Sequence, residues 1–130
     1  MLAAEGRWVT AAHDVSDGGL AVTLAEMVMS AGAERELGLE VNLGAFETSA
    51  AAALFSERPA IAFEVAPERA PRFFQAARER SLFAWPAGQV IRGPVLRALL
   101  PEGGRLEWTA SELRAAAAGP LERLWNEELE

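Results

Sequence analysis

The sequence predicts an α+β domain in which helices pack on a mixed β-sheet. Segments with the 3.6-residue apolar period of a helix are interspersed with short segments whose apolar residues run together or alternate, as they do in strands. The order is neither all-helical nor a regular strand–helix–strand series, and a mixed sheet with packed helices accommodates it most economically. The length of 130 residues is typical of one domain, so we expect a single domain over residues 1–130.

The first half of the sequence alternates predicted strands and helices. Residues 8–12 form a short apolar run typical of a buried strand, and residues 37–43 alternate as a half-buried strand does. Residues 20–30 predict a helix with four apolar side chains on one face. These four are Leu20, Leu24, Met27 and Val28. Residues 48–55 predict a shorter helix, with Thr48 or Ser49 as its N-cap.

The second half begins with the clearest strand pattern of the chain, at residues 60–65. An amphipathic helix follows over residues 67–80, with Phe73, Phe74 and Ala77 directed inward. Residues 83–86 predict only a weak edge strand, because Pro86 cannot donate a hydrogen bond to a neighbouring strand.

The last third of the chain predicts short strands and a final helix. Strands are expected at residues 89–91 and 105–108, and the turn sequences at residues 93–94 and 101–104 lie between them. Ser111 is the expected N-cap of the last helix, which should run into the breaking pair Gly119-Pro120. A further helical stripe is expected after it, formed by Leu121, Leu124 and Trp125.

Composition excludes several classes of protein. The chain has no cysteine and a single histidine, His13, which excludes a disulfide framework, a thiolate nucleophile and a histidine-rich metal centre. All 12 basic residues are arginine, so no lysine can act as a catalytic amine. The net charge of −7 opposes nucleic-acid binding, and no apolar run is long enough to span a membrane. We expect a cytoplasmic protein.

Only residues 13–20 combine dense polar side chains with glycines that allow an unusual backbone. Ser16 or Asp17 could cap the helix that follows. The adjacent glycines would leave backbone N–H groups open at a helix N-terminus, a site that suits an anion. These glycines are Gly18 and Gly19.

A carboxylate beside such an anion site suits Mg²⁺, which prefers one or two carboxylates together with phosphate oxygens and water. Asp14 is the candidate ligand. The alternative from the residues alone is a turn that caps a helix and binds nothing, with His13 as a structural side chain. No catalytic residue is assigned.

The motif resembles a known enzyme family. Residues 13–20, His-Asp-Val-Ser-Asp-Gly-Gly-Leu, followed by Ala-Glu-Met at residues 25–27, resemble the second half of phosphoribosylformylglycinamidine synthases, enzymes of purine biosynthesis. Leu-Phe-Ser-Glu at residues 54–57 and the segments at residues 111–113 and 119–121 follow in the same order. The chain is also similar to the C-terminal domain of aminoimidazole ribonucleotide synthetase, which implies that fold.

The resemblance implies an activity. Enzymes of this family amidate formylglycinamide ribonucleotide with ATP, Mg²⁺ and ammonia derived from glutamine, which makes them ATP-dependent ligases. The chain would be the C-terminal fragment of a larger multidomain synthetase, inactive alone. Residues 1–6 have the pattern of the last turn of a helix, and a start inside a helix fits a fragment.

The implied partners are the other domains of the synthetase, a glutaminase subunit and a small accessory subunit. The isolated chain would expose apolar side chains such as Trp8, Phe55 and Trp85, which favour self-association. Nucleic acid and membrane are not expected partners.

The resemblance also implies roles for individual residues. In the large, fused form of these enzymes, the aspartate that matches Asp14 is a Mg²⁺ ligand and the serine that matches Ser16 contacts an auxiliary nucleotide. The open N–H groups of Gly18 and Gly19 would contact the same ATP or ADP molecule. Four further candidates are less strongly implied: they are His13, Asp17, Ser56 and Glu57. Arg58 stands where the family has a small residue, which weakens the case for a ligand role of its two preceding neighbours.

Two other interpretations remain open. The Asp-Ser-Asp-Gly pattern recurs in thiamine-monophosphate kinases, so a domain of that type is the nearest rival. His13 and the Ala-Glu-Met sequence favour the purine enzyme. The other alternative is a non-catalytic interface domain, and the discriminating observation is whether Asp14 and Ser16 point at an ordered ion, phosphate or water cluster.

Overall fold

The computed structural model describes residues 8–31 and 36–127, excluding the side chains of residues 120–127. The predicted turn at residues 1–6 and the side chains of the stripe Leu121, Leu124 and Trp125 lie outside these residues. The described strands are β1 (Val9–Val15), β2 (Leu37–Asn42), β3 (Ala60–Val65), β4 (Gly88–Arg92), β5 (Val95–Leu99) and β6 (Arg105–Thr109). The described helices are α1 (Gly19–Ser30), α2 (Ala50–Phe55), α3 (Ala70–Glu79) and α4 (Ala110–Glu127).

The described strands form two sheets rather than one. β1 and β3 pair as an antiparallel two-stranded sheet, and the other strands form a four-stranded sheet in the order β4-β2-β5-β6. The second sheet is mixed, since β2 and β5 are parallel whereas the β2–β4 and β5–β6 pairs are antiparallel. The predicted α+β class with a mixed sheet is confirmed.

The main core lies between the four-stranded sheet and the helices α1, α2 and α4. Leu24 and Val28 are buried, and Leu20 and Met27 pack against the same cluster, so the predicted inner face of α1 is confirmed. Its other buried members come from the sheet, α2, the start of α4 and a short 3-10 turn after β2: they are Val41, Leu43, Ala53, Leu54, Leu96, Ala98 and Ala110.

α3 covers part of the two-stranded sheet. The Phe73 and Phe63 rings meet edge-on with their centroids 5.4 Å apart, and Phe73 and Ala77 are buried as predicted. A two-stranded sheet is marginal without such support. β3 has the strongest strand pattern in the sequence, yet its Ile61 is 58% exposed.

Four local predictions were wrong. β1 continues to Val15, so the first residues of the polar motif lie on a strand rather than in a turn. The residues between the turns at 93–94 and 101–104 form β5, where no strand was predicted. β5 occupies the interior of its sheet, and its central Arg97 hides the apolar alternation. Residues 83–86 are irregular rather than a strand, and the Phe83 and Trp85 rings lie 5.1 Å apart at an interplanar angle of 40°.

The fourth error concerns α4. The helix begins at Ala110 and continues through Gly119-Pro120, although a proline removes one backbone donor. Thr109, not Ser111, forms the cap. Its hydroxyl accepts the N–H of Glu112 at 3.2 Å, and the Glu112 carboxylate accepts the N–H of Thr109 at 2.7 Å. This reciprocal pair is a capping box.

On the outer face of the four-stranded sheet, a row of four polar side chains crosses the strands, one from each strand. Gln89 donates to Glu40 at 3.1 Å, and Arg97 donates to Glu40 at 3.0 Å and to Glu107 at 2.7 Å. We call this row the polar ladder. The hydrogen bond from Arg97, reinforced by that from Gln89, holds the pKa of Glu40 below its usual value of 4.5.

None of the helices that the structure describes combines the length and the apolar character needed to cross a membrane.

The polar ladder and the capping box together predict acid sensitivity. Hydrogen bonds from Thr109 also lower the pKa of Glu112 from 4.5. A carboxyl group with a lowered pKa in the folded state stabilises the fold above its unfolded pKa and loses that effect as the pH falls through the folded value. We expect the thermal midpoint to fall progressively below pH 4.5, and the fall to be shallower in Glu40→Gln. An equally steep fall in that variant would contradict the role of the ladder.

The cap assignment predicts two opposite outcomes at neighbouring positions. Thr109→Ala removes the acceptor at the start of α4 and should lower the free energy of unfolding by about 0.5–2 kcal/mol. Ser111→Ala should leave it nearly unchanged, because Ser111 is exposed and no cap depends on it. Urea denaturation of both variants measures the difference, and a larger loss in Ser111→Ala would restore the cap predicted from the sequence.

Candidate functional site

The polar motif lies where β1 ends and α1 begins. His13 and Asp14 lie near the C-terminal end of β1, and Gly18 precedes α1 as its N-cap. Gly18 and Gly19 have φ angles of +83° and +68°, in the left-handed region that glycine adopts without strain. The Gly19 N–H donates to the Ser16 carbonyl at 3.0 Å, which closes the turn.

The predicted side-chain cap of α1 is wrong. Gly18 is the N-cap and has no side chain with which to cap the helix, so neither Ser16 nor Asp17 has that role. The buried Thr23 supplies the local link instead. Its hydroxyl lies 3.0 Å from the Asp14 carbonyl oxygen and 3.2 Å from that of Gly19, tying the first turn of α1 to the end of β1.

The structure brings the glycine turn against a segment about forty residues away. The Gly18 N–H donates to the Glu57 carboxylate at 3.0 Å. A Cβ on Gly19 would lie 2.8 Å from the Leu54 carbonyl oxygen and 2.9 Å from that of Ser56. The end of α2 therefore packs directly on the beginning of α1, and two separate groups of candidate residues form one site.

This packing changes the expected anion cradle. The N–H groups of Gly18 and Gly19 both have acceptors within the chain, and a carboxylate already lies at the N-terminus of α1, where negative charge is favourable. A phosphate would have to displace Glu57 from Gly18 or use other groups of the turn. The cofactor contacts of Ser16, Gly18 and Gly19 stay a prediction.

His13 is held from both edges of its ring. Its Nε2 lies 2.9 Å from the Glu26 carboxylate on α1, and its Nδ1 lies 2.8 Å from the Asp14 carbonyl oxygen and 3.7 Å from the Asp14 carboxylate. The sequence placed Glu26 only within a family motif. Its contact with His13 depends on how α1 packs on β1, and no local sequence pattern signals it.

Asp14 provides one exposed carboxylate, with 74% of its side chain accessible. Among the described residues, no three histidine, aspartate or glutamate side chains come together as a metal cluster. The donor set fits a single carboxylate ligand to Mg²⁺, which commonly takes its other ligands from phosphate oxygens and water. Whether Asp14 binds a metal stays a prediction.

The sequence matches the family described as AIR synthase related protein, C-terminal domain, over residues 1–100. A PurL subunit of phosphoribosylformylglycinamidine synthase from Chlorobium luteolum is 36% identical over 92% of this chain and 16% of its own length. The Thermus thermophilus PurL subunit is 37% identical over 85% of this chain and 14% of its own length. The chain thus spans about a sixth of such relatives.

Solved structures agree with the sequence relatives. Thermotoga maritima PurL complexed with ATP is 26% identical, with a TM-score of 0.71 over 85% of this chain and 20% of that chain. The same protein complexed with FGAR gives a TM-score of 0.72, and a structure of PurLQS from Thermotoga maritima gives 0.73.

The close approach at Gly19 predicts a large effect of one methyl group. Gly19→Ala places a Cβ 2.8 Å from backbone atoms at the end of α2. Backbone atoms cannot move aside as the end of a flexible side chain could, so the clash is not easily relieved. Gly103→Ala is the matched control, since Gly103 has a φ of +95° but nothing within 4 Å of its Cβ position.

Left-handed backbone alone costs a non-glycine residue roughly 1–2 kcal/mol, which is the loss expected for Gly103→Ala. Gly19→Ala should lose clearly more in urea denaturation because it adds a steric clash. Equal losses for the two variants would mean that the contact with α2 is not tight.

Proposed function

The chain belongs to the family of AIR synthase related C-terminal domains, and on that premise we propose that it is the C-terminal domain of a phosphoribosylformylglycinamidine synthase polypeptide. The observation that carries this proposal is the 36% identity to a PurL subunit over 92% of the chain. The whole polypeptide would amidate formylglycinamide ribonucleotide. ATP would activate the amide oxygen as a phosphate ester, and ammonia derived from glutamine would displace the phosphate.

The domain's own contribution would be to bind and orient. Asp14 would offer its carboxylate to Mg²⁺, and when bound the ion would neutralise the phosphates of ATP or ADP. The turn containing Ser16, Gly18 and Gly19 would contact the nucleotide. For a phosphate to use the Gly18 N–H, the Glu57 carboxylate would first have to release it. No residue of this chain is assigned a covalent or proton-transfer role, so the chain alone would be inactive.

The partners would be further domains of the same polypeptide, together with glutaminase and small accessory subunits. Exposed aromatic side chains support such contacts: Phe83 is 90% exposed, Phe55 64% and Trp85 39%. Apolar groups exposed to this degree commonly mark interfaces. The same groups would favour self-association of the isolated chain, and the assembled enzyme would act in the cytoplasm.

A non-catalytic interface domain is the second candidate. The hydrogen bond between Glu57 and Gly18 favours it, because this carboxylate takes the N–H that a phosphate would otherwise use. In that case the domain would complete the fold of its partners without touching a nucleotide.

A domain exchange tests the proposed function. The matching segment of the Thermus thermophilus PurL subunit is replaced by this chain, and amidine formation is measured with ATP, ammonia and formylglycinamide ribonucleotide. We expect the exchanged protein to form product and a version truncated at the same boundary to form none. A folded but inactive exchanged protein would contradict the proposal.

Asp14→Asn in the same protein separates the two candidate functions. The change keeps the size of the side chain and removes its charge, so retention of Mg²⁺ and ADP after gel filtration should fall while the thermal midpoint stays the same. Glu64→Gln is the matched control, because Glu64 lies on the strand paired with β1 and bonds Thr10 near its opposite end. Unchanged retention in Asp14→Asn would favour the interface domain.

A further inference from the structure

Two side-chain groups lie within hydrogen-bond distance of the carbonyl oxygen of Asp14. The Nδ1 of His13 lies 2.8 Å from it, and the hydroxyl of Thr23 lies 3.0 Å from it. Thr23 is on α1, and so is Glu26, whose carboxylate holds the far edge of the His13 ring at 2.9 Å. α1 therefore contacts the Asp14 peptide twice, once directly and once through the ring.

We propose that Glu26 and His13 form a positioning pair that fixes the direction in which the Asp14 carboxylate leaves the end of β1. The inference rests on the proposed function, in which Asp14 binds Mg²⁺. In this proposal His13 and Glu26 bind neither metal nor nucleotide. They act through Asp14 alone.

Because these groups are exposed, the pair can affect the orientation of Asp14 without contributing much to the stability of the fold. The side chains of Asp14 and Glu26 are 74% and 50% accessible, and contacts between such exposed charged groups contribute little to stability. An exposed carboxylate samples several rotamers, however, and a metal ligand must hold one of them. The His13 ring, 3.7 Å from the Asp14 carboxylate and fixed at its other edge, limits that freedom.

His13 and Glu26 are 13 residues apart in the sequence and lie on different elements. The ring is on the strand and the carboxylate is on the third turn of α1, so the contact forms only when the helix is packed on β1. Thr23, one turn earlier, makes the direct bond to the same peptide. The orientation of Asp14 is thereby coupled to the placement of the whole helix.

The test uses the full-length polypeptide that carries this chain, with Mn²⁺ in the presence of ADP as the probe. The dissociation constant of Mn²⁺ is measured from its free electron-paramagnetic-resonance signal. Glu26→Ala should weaken Mn²⁺ binding about tenfold, as the loss of groups that orient a metal ligand commonly does. Glu26→Gln keeps an oxygen acceptor for the ring and should bind Mn²⁺ much as the parent does.

A double-variant cycle distinguishes positioning of Asp14 from a merely structural role of Glu26. In the Asp14→Asn background, Glu26→Ala should have no further effect on Mn²⁺ binding, because the two residues act on one ligand. Glu64→Ala, which removes the carboxylate bonded to the other end of β1, should leave the dissociation constant unchanged. Thermal midpoints of all variants verify that the fold is intact.

The outcomes distinguish the two proposals. If Asp14→Asn weakens Mn²⁺ binding but Glu26→Ala does not, the positioning pair is overturned and the proposed function stands. Equal weakening by Glu26→Ala in both backgrounds, or by Glu26→Gln as strongly as by Glu26→Ala, also overturns it. If Asp14→Asn binds Mn²⁺ as the parent does, Asp14 is no ligand, so both its proposed role in binding Mg²⁺ and the positioning pair fail.

Discussion

The contact on which the candidate site depends is the approach of two backbones, at Gly19 and at the end of α2. A Cβ at Gly19 would lie closer to that backbone than real Cβ atoms come, so only glycine allows α1 to begin at this place. The approach brings Glu57 within reach of Gly18. Farther along the same helix, Thr23 and Glu26 contact the residues at the end of β1.

The sequence predicted correctly those elements that depend on residues close to one another in the chain. The inner face of α1 and the Ser49 cap of α2 were correct because apolar period and capping chemistry act within a few residues. β5 was missed because its Arg97 is satisfied only by partners on two other strands. α4 continues through Pro120 against the local rule.

Some features of the candidate site were likewise predictable from local sequence, and others were not. The motif at residues 13–20 stood out by composition, and the structure gathers it with Ser56 and Glu57, as a single site. The acceptor of the Gly18 N–H could not be predicted, because Glu57 lies about forty residues away, just beyond α2. A side-chain cap was the obvious expectation for Asp17, but a left-handed glycine took that position.

The polar ladder has a consequence for how this sheet can change over generations. Arg97 is shared by two carboxylates on either side of it. Replacing it leaves Glu40 with Gln89 and Glu107 with the more distant Arg105 at 4.0 Å, whereas replacing Glu107 leaves Arg97 with Glu40. Substitutions should therefore accumulate in a fixed order, with the outer carboxylate varying first. Positions 40 and 97, on the two central strands, should be substituted together. Substitutions at position 107, on an edge strand, should precede them.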